Sequence, residues 1–292
     1  MGLSLGVDLI PRKTCPYDCS YCEVGPTTRQ TQARREYETE AVIRELREYL
    51  AREAQTPDFI TLAGSGEPTL NRGTGRIIRA VKDMTSIPVA VLTNGALLHL
   101  PEVRQELAAA DVILPTLVSG REETWRAVNR PLPGMSLAQI IAGLEALVRE
   151  YRGQVWLEVM ILKGLNDTAE ELEALDQVIK RLAPARVQLN TAVRPGAYPG
   201  AQPLDREEMA AVAAFLGEGA EVIASCSRAA NAGSNISEAR FLEMLSRRPM
   251  TAADLAQALG LPLDQVQEKL ERLEAAGRIF YNRYQEQGFY RQ

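Results

Sequence analysis

Three cysteines lie within eight residues near the start of the chain, in the run Cys15-Pro-Tyr-Asp-Cys19-Ser-Tyr-Cys22. Thiolates spaced C-x3-C-x2-C on one short loop can wrap a single compact soft-metal centre without ligands from distant segments. A structural zinc site is the alternative, but zinc wants four closed ligands. The remaining candidates are Cys226 and the lone histidine, His99, and neither belongs to a paired ligand motif. A cubane held by three cysteines, by contrast, leaves one iron free. With a single histidine, His-rich metal sites and most His-based acid–base schemes are excluded. His99 is a candidate proton donor, with a surface role as the alternative. A chain of this size does not need disulfides, so Cys226 reads as a buried thiol.

Lysine is scarce: Lys13, Lys82, Lys163, Lys180 and Lys269 are all the chain has. Lys13 and Lys163 fall on loops near the other candidate residues. A desolvated lysine can form a Schiff base or hold a substrate carboxylate, so both are candidate catalytic residues; a solvated or ion-paired lysine is the competing reading. Arg29, Arg34 and Arg35 follow the cysteine loop, and Arg194 ends a strand. Guanidinium groups suit phosphate geometry, which points to an anionic substrate; ion pairs with Glu36 and Glu38 would instead make this a solvated loop.

The elements that must position these residues follow a regular rhythm. Short apolar runs, Leu5 to Ile10, Phe59 to Ala63, Pro88 to Thr93, Val112 to Val118, Val155 to Leu162 and Val187 to Thr191, read as strands. Pro115 makes the fourth of them the least secure. Amphipathic stretches follow, with apolar residues at spacings of three and four: Tyr37 to Glu53, Gly75 to Met84, Pro101 to Ala110, Leu137 to Tyr151, Thr168 to Leu182 and Asp205 to Leu216. Six βα units of this length predict parallel crossovers. A full eight-unit barrel takes ~250 residues, so an open, partial (β/α)6 TIM-like barrel fits better. In such folds chemistry sits beyond the C-terminal ends of the strands, where the cysteine loop falls.

The rhythm stops near Ala220. The stretch 228–237, RAANAGSNIS, reads as a linker between a core over 1–227 and a small unit over 238–292. In that unit Glu238 to Arg247, Ala252 to Leu259 and Leu263 to Ala276 read as helices. The tail around Gln287-Gly288 reads as a hairpin, which together describe a winged helix-turn-helix. The whole chain carries a net charge of -5, which excludes a broadly basic nucleic-acid surface. The basic pair at the N-terminus follows the apolar stretch instead of preceding it, and no apolar run approaches ~18 residues. A cytoplasmic protein with no membrane partner is expected.

The C-x3-C-x-aromatic-C pattern, with Tyr21 as the aromatic, resembles the signature of the radical S-adenosylmethionine (SAM) superfamily. Three further stretches occur in matching order. Gly64-Ser65-Gly66-Glu67-Pro68 is similar to the family's Gly-Gly-Glu-Pro loop, Thr93-Asn94-Gly95 to its Thr-Asn-Gly element, and Leu162-Lys163-Gly164-Leu165-Asn166-Asp167 to a segment of its smaller members. Each alone is an ordinary turn or helix cap. The resemblance covers about residues 3 to 225. It implies that Cys15, Cys19 and Cys22 hold a [4Fe-4S] cluster whose fourth iron chelates SAM. It further implies that Gly64, Gly66, Glu67 and Pro68 form the loop receiving the SAM ammonium, on carbonyl oxygens or on Glu67, with Asn94 on a neighbouring cofactor loop. The backbone around Tyr21 would contact adenine. Strand four ends Thr116-Leu117-Val118-Ser119, departing from the family's Ser-Leu-Asp-type end, so ribose contacts fall to Thr116, Ser119 or residues elsewhere. The implied activity is an oxidoreductase chemistry in which reductive SAM cleavage yields a 5′-deoxyadenosyl radical that abstracts hydrogen from a substrate.

The opening Ser4-Leu5-Gly6-Val7-Asp8, Arg130-Pro131 and the run from Asn190 to Pro195 look most like the branch related to wyosine tRNA-base synthases. That branch includes short bacterial members with a C-terminal winged helix. The wyosine enzymes use a second cluster on three additional N-terminal cysteines, and this chain has none before Cys15. The wyosine reaction is therefore not implied. An RNA base or nucleotide is the first substrate class expected, and a low-potential ferredoxin or flavodoxin the expected electron donor. The alternative is an iron–sulfur redox or iron-sensing transcription regulator acting through the winged helix. Charge argues against duplex DNA: residues 237–292 carry eight basic and eight acidic side chains. The third helix sets Asp264, Glu268, Glu271 and Glu274 against Lys269 and Arg272, which a major groove would repel. A docking or substrate-presenting module is the favoured reading.

Overall fold

A computed structural model of the protein describes residues 2–52, 57–223 and 237–292. In chain order, Ser4–Asp8 (β1) leads into the cysteine loop, which carries a two-residue parallel pairing of Thr14–Cys15 (β2) with Arg29–Gln30 (β3). There follow Thr39–Arg52 (α1), Phe59–Ala63 (β4), Thr74–Met84 (α2), Val89–Thr93 (β5), Pro101–Leu107 (α3) and Val112–Leu117 (β6). Next come Glu122–Asn129 (α4), Leu137–Glu150 (α5), Gln154–Ile161 (β7), Ala169–Leu182 (α6), Arg186–Thr191 (β8), Arg206–Leu216 (α7) and Ala220–Val222 (β9). The C-terminal unit comprises Glu238–Arg247 (α8), Ala252–Leu259 (α9), Leu263–Ala275 (α10), Phe280–Tyr284 (β10) and Gln287–Arg291 (β11).

Seven strands form one parallel sheet in the order β1-β4-β5-β6-β7-β8-β9, the arrangement of a partial TIM-like barrel. Six strands were expected. The seventh, β9, is three residues long with two of them exposed, too short and too polar for a periodic signal. Alternation along the strands splits the sheet faces. Ile60, Leu62, Val89, Val91, Ile113 and Leu157 pack against the helices in the main core. The opposite, inner face closes at one end on Phe59, Ala90, Val112, Leu114 and Trp156. Above that apolar floor the same face carries Thr116, Glu158 and Asn190.

Pro115 does not end its strand. The ladder from β6 to β7 pairs Val112 with Gln154 and Ile113 with Val155, skips two positions, and resumes at Thr116 with Glu158. The gap coincides with the missing proline donor. Helix α4 has no counterpart among the expected elements. Its Trp125 is buried and meets Tyr17 of the cysteine loop edge to face, with ring centroids 5.8 Å apart. Capping boxes or side-chain caps at Thr168, Asp205 and Thr251 start α6, α7 and α9.

The three helices and antiparallel hairpin of the C-terminal unit appear as expected and enclose their own core around Phe241, Leu245, Leu255, Val266 and Leu270. The expected linker lies outside the described residues except for Ser237, and so does Cys226.

Candidate active site

The cysteine loop lies beyond the C-terminal end of β1, fastened on three sides by backbone hydrogen bonds. Toward β4, Lys13 N–H donates to Ser65 O (2.6 Å) and Glu67 N–H to Thr14 O (3.1 Å). Toward α4, Asp18 N–H donates to Asn129 O (3.0 Å) and Ser20 N–H to Val128 O (2.8 Å). Toward the segment after β8, Tyr198 N–H donates to Ser20 O (3.1 Å). Gly66 is required where it stands, since a Cβ there would lie 2.2 Å from Thr14 O.

All three cysteines are free thiols, and each sulfur accepts a hydrogen bond from a nitrogen donor. Asn94 Nδ2 reaches Cys15 Sγ at 3.2 Å, Asn129 Nδ2 reaches Cys19 Sγ at 3.1 Å, and Lys13 Nζ reaches Cys22 Sγ at 3.2 Å. Donors aimed at sulfur favour thiolates, yet the surroundings oppose them. Burial, and then the neighbouring Cys19, pushes the Cys15 thiol well above its ordinary value. Burial, and then Cys22, raises Cys19 to about 12. A bound cation resolves that conflict, because metal coordination deprotonates a thiol outright. Among the described residues no group of three or more His, Cys, Asp or Glu side chains is arranged to hold a single metal ion. Three thiols without a fourth ligand fit a cluster with one open iron.

Glu67 changes role. Its carboxylate is only 2% exposed. Oε1 accepts from Thr69 N–H (3.1 Å), Thr69 Oγ1 (2.6 Å) and Thr93 Oγ1 (2.7 Å), and Oε2 from Asn94 N–H (2.8 Å). Burial nonetheless raises its pKa. Glu67 therefore ties the Gly64–Pro68 loop to the Thr-Asn-Gly turn, and of the two expected acceptors for the SAM ammonium the backbone carbonyls remain. Pro68 begins a short 3-10 turn and is buried. Asn94 faces Cys15, as described. Tyr21 accepts a 3.5 Å hydrogen bond from Asn129, and its pKa is raised by burial, then by Cys19 and Glu158.

Ser119, Lys163 and Arg34 need correction, and Thr116 and Lys13 have partners of their own. Ser119 is fully buried and gives its hydroxyl to Glu171 (2.6 Å), so it cannot meet a ribose. Thr116 is half-buried on the inner face, with its hydroxyl donated to Glu158 (2.6 Å). Lys163 is exposed and ion-paired with Glu208 (2.5 Å), which raises its pKa and keeps it an ammonium ion, the wrong form for a Schiff base. Lys13 is buried, but its amine is engaged with Cys22. Arg34 is 7% exposed and spent on Glu106 and Thr69 O, so it is not a phosphate ligand. Arg29 and Arg35 stay exposed. His99 Nδ1 lies 3.1 Å from Ala96 O of its own turn.

Sequence reasoning passed over Glu158, Asn129 and Asn190. Asn190 was read only as part of a motif, and Glu158 sits singly in an apolar strand. The period-2 rule would have placed it opposite Leu157 and Val159.

The C-terminal unit reaches this end of the barrel. Arg194 pairs with Glu23 of the cysteine loop (3.2 Å) and Asp254 of α9 (3.7 Å), and Arg248 also reaches Glu23 (3.5 Å). Tyr284 Oη lies 3.2 Å from Ala192 O and 3.0 Å from Ala201 O.

A family model described as the radical SAM superfamily matches residues 9–178. The chain belongs to the radical SAM superfamily. A UPF0026 protein of Synechocystis is 35% identical over 208 residues, covering 70% of this chain and 74% of that protein. A Brachyspira hyodysenteriae protein named GTPase Obg is 34% identical over 96% of this chain, which spans 42% of that relative's length. The structure of TYW1 with a bound lysine-pyruvate adduct shares the fold, at TM-score 0.54, 16% identity, and coverage of 75% of this chain and 72% of that one. Weaker likenesses extend to the dual-specificity RNA methyltransferase RlmN of Caulobacter vibrioides, 28% identical over 60% of this chain and 45% of that protein. They also include the GTP 3',8-cyclase of Heliobacterium modesticaldum, 36% identical over 35% of this chain and 31% of that protein. The protein is an enzyme of this superfamily, whose members bind a [4Fe-4S] cluster and SAM. Among the described residues no helix is long and apolar enough to cross a membrane.

Proposed function

We propose that the protein is a cytoplasmic oxidoreductase that cleaves SAM reductively and removes hydrogen from an RNA base or nucleotide. The observation that carries the chemistry is the trio of free cysteines on one loop, each sulfur met by a nitrogen donor. Cys15, Cys19 and Cys22 would hold the cluster. The Gly64–Pro68 backbone would receive the SAM ammonium, and Tyr21 would border the adenine. When bound, cluster and SAM supply a 5′-deoxyadenosyl radical that takes a hydrogen atom from the substrate.

The chain's own residues orient and shield. Glu67 locks the glycine loop against the Thr-Asn-Gly turn, so carbonyl acceptors are preset. The segment after β8 lies across Ser20 and Tyr21: a Cβ on Gly196 would come within 2.8 Å of Ser20 O. That close approach places the segment's backbone directly against Ser20 and Tyr21 of the cysteine loop. The substrate class rests on the RNA methyltransferase and the GTP cyclase among the relatives, together with exposed Arg29 and Arg35 beside the site. A low-potential ferredoxin or flavodoxin would deliver the electron.

Anaerobic reconstitution followed by SAM and a strong reductant tests the reading. The expected result is iron and sulfide in cluster stoichiometry and 5′-deoxyadenosine formation that Cys19→Ala abolishes. An intact cluster that forms no 5′-deoxyadenosine would overturn it.

A further inference from the structure

The inner face of the barrel carries a carboxylate on β7 that the cluster chemistry does not use. Glu158 stands on β7, half-buried, above the floor made by Trp156 and Phe59. Its two oxygens are held from opposite sides. Oε2 accepts from Thr116 Oγ1 on β6 at 2.6 Å, and Oε1 accepts from Asn190 Nδ2 on β8 at 2.9 Å. Asn190 is itself oriented, since its Oδ1 accepts from Thr191 N–H at 2.9 Å. Three adjacent strands therefore fix the carboxylate plane.

The other carboxylates near this end are satisfied. Glu67 takes four donors and is sealed from solvent. Asp8 accepts from Ser65 N–H and Oγ and lies against Gly64. Glu171 is buried under Ser119 and Thr124, with Arg121 at 3.5 Å. Glu158 and Asp8 are the half-buried members of this set, and among the described residues neither makes an ion pair; Asp8 is held within its own loop by Ser65, whereas Glu158 is held by the two strands that flank its own. Each carboxylate oxygen has two acceptor positions, and one on each remains free. A half-buried carboxylate without a cation is costly unless a ligand supplies donors. Two carboxylate oxygens, each with one acceptor position free, suit a ligand presenting two parallel N–H groups.

We propose that Glu158 is the anchor for a substrate bearing a paired N–H edge, either the N1–H and 2-amino group of guanine or a guanidinium group. Thr116 and Asn190 are positioning residues that aim the carboxylate. The assignment deepens the enzyme reading above and rests on it.

Calorimetry on the anaerobic holoprotein with SAM and no reductant provides the test. The probes are GMP and agmatine, with AMP and inosine monophosphate as partners lacking one or both of the paired donors, and putrescine as a cation without them. GMP or agmatine should bind about tenfold tighter than its control, and the better of the two names the source of the donor pair. Glu158→Gln should remove that preference while SAM affinity holds. Thr116→Val should weaken it partially, an outcome independent of any folding defect in the first variant. No preference for either probe overturns the assignment, as does a loss of SAM affinity in Glu158→Gln with probe binding unchanged, which would make Glu158 a cofactor contact. In both cases wild-type 5′-deoxyadenosine formation shows that the enzyme reading stands.

Discussion

At the scale of single residues, type and spacing identified the cysteines but not how polar neighbours divide the work. Lys13 and Lys163 look alike in sequence, each a rare lysine on a site loop. The fold separates them by burial: one amine is enclosed beside Cys22, the other exposed beside Glu208. The partner 45 positions away decides the chemistry of Lys163, and no local pattern reports it. Lys163→Met should leave 5′-deoxyadenosine formation within about threefold of wild type, as expected when no transition-state contact is lost. Lys13→Met should retain iron but shift the cluster's midpoint potential to more negative values, because a positive charge and a sulfur hydrogen bond are removed. A redox titration followed by electron paramagnetic resonance reads the shift. An unchanged potential would mean that the Lys13 amine does not act on the cluster.

At the scale of elements, the six main strands and most helices were legible because their apolar periods are long and regular. What escaped was short or tertiary. Helix α4 has eight residues, and its value lies in backbone carbonyls at Val128 and Asn129 that grip the cysteine loop. Strand β9 exists because β8 offers it an edge. Pro115 was read as a threat to its strand, whereas the ladder tolerates it by skipping two positions. The loop Gly64–Pro68 was legible as a motif, but its glycine has a reason only the fold supplies. Gly66 must let the loop approach Thr14 O. In Gly66→Ala the two loops must part, costing about 1–3 kcal/mol by the measure of overpacked sites. The variant should lose SAM binding in calorimetry and melt at lower temperature, while Gly134→Ala, with nothing within 4 Å but a positive φ, should melt lower and keep SAM affinity. Equal SAM affinity in the two variants would remove the close-approach argument.

At the scale of the whole molecule, sequence periodicity revealed the C-terminal helices and hairpin but not where they dock. Their own core, around Phe241 and Leu255, makes them a folded unit. Their contacts fall on the site side of the barrel, at Glu23 in the cysteine loop and at the segment that covers Ser20. Those contacts come from Asp254 of α9, Arg248 and Tyr284, and the acidic third helix would be repelled by a duplex. The joint is polar and modest. Arg194 is 23% exposed and shared between Glu23 and Asp254. Each such pair contributes about 0–1 kcal/mol, and the Tyr284 hydroxyl adds about 0.5–1.5 kcal/mol. Together they are small beside the unit's own core but enough to hold a loop in place. The double variant Arg194→Met, Tyr284→Phe should therefore leave helices α8 to α10 protected in hydrogen exchange. Exchange should rise at Tyr198, whose N–H bonds to Ser20 O, and across the cysteine loop. Reoxidation of the reconstituted cluster in air should quicken in parallel, because the segment over Ser20 and Tyr21 would open more often. Faster exchange in α8 to α10, with Tyr198 unchanged, would instead mean that the barrel stabilises the C-terminal unit and receives nothing in return.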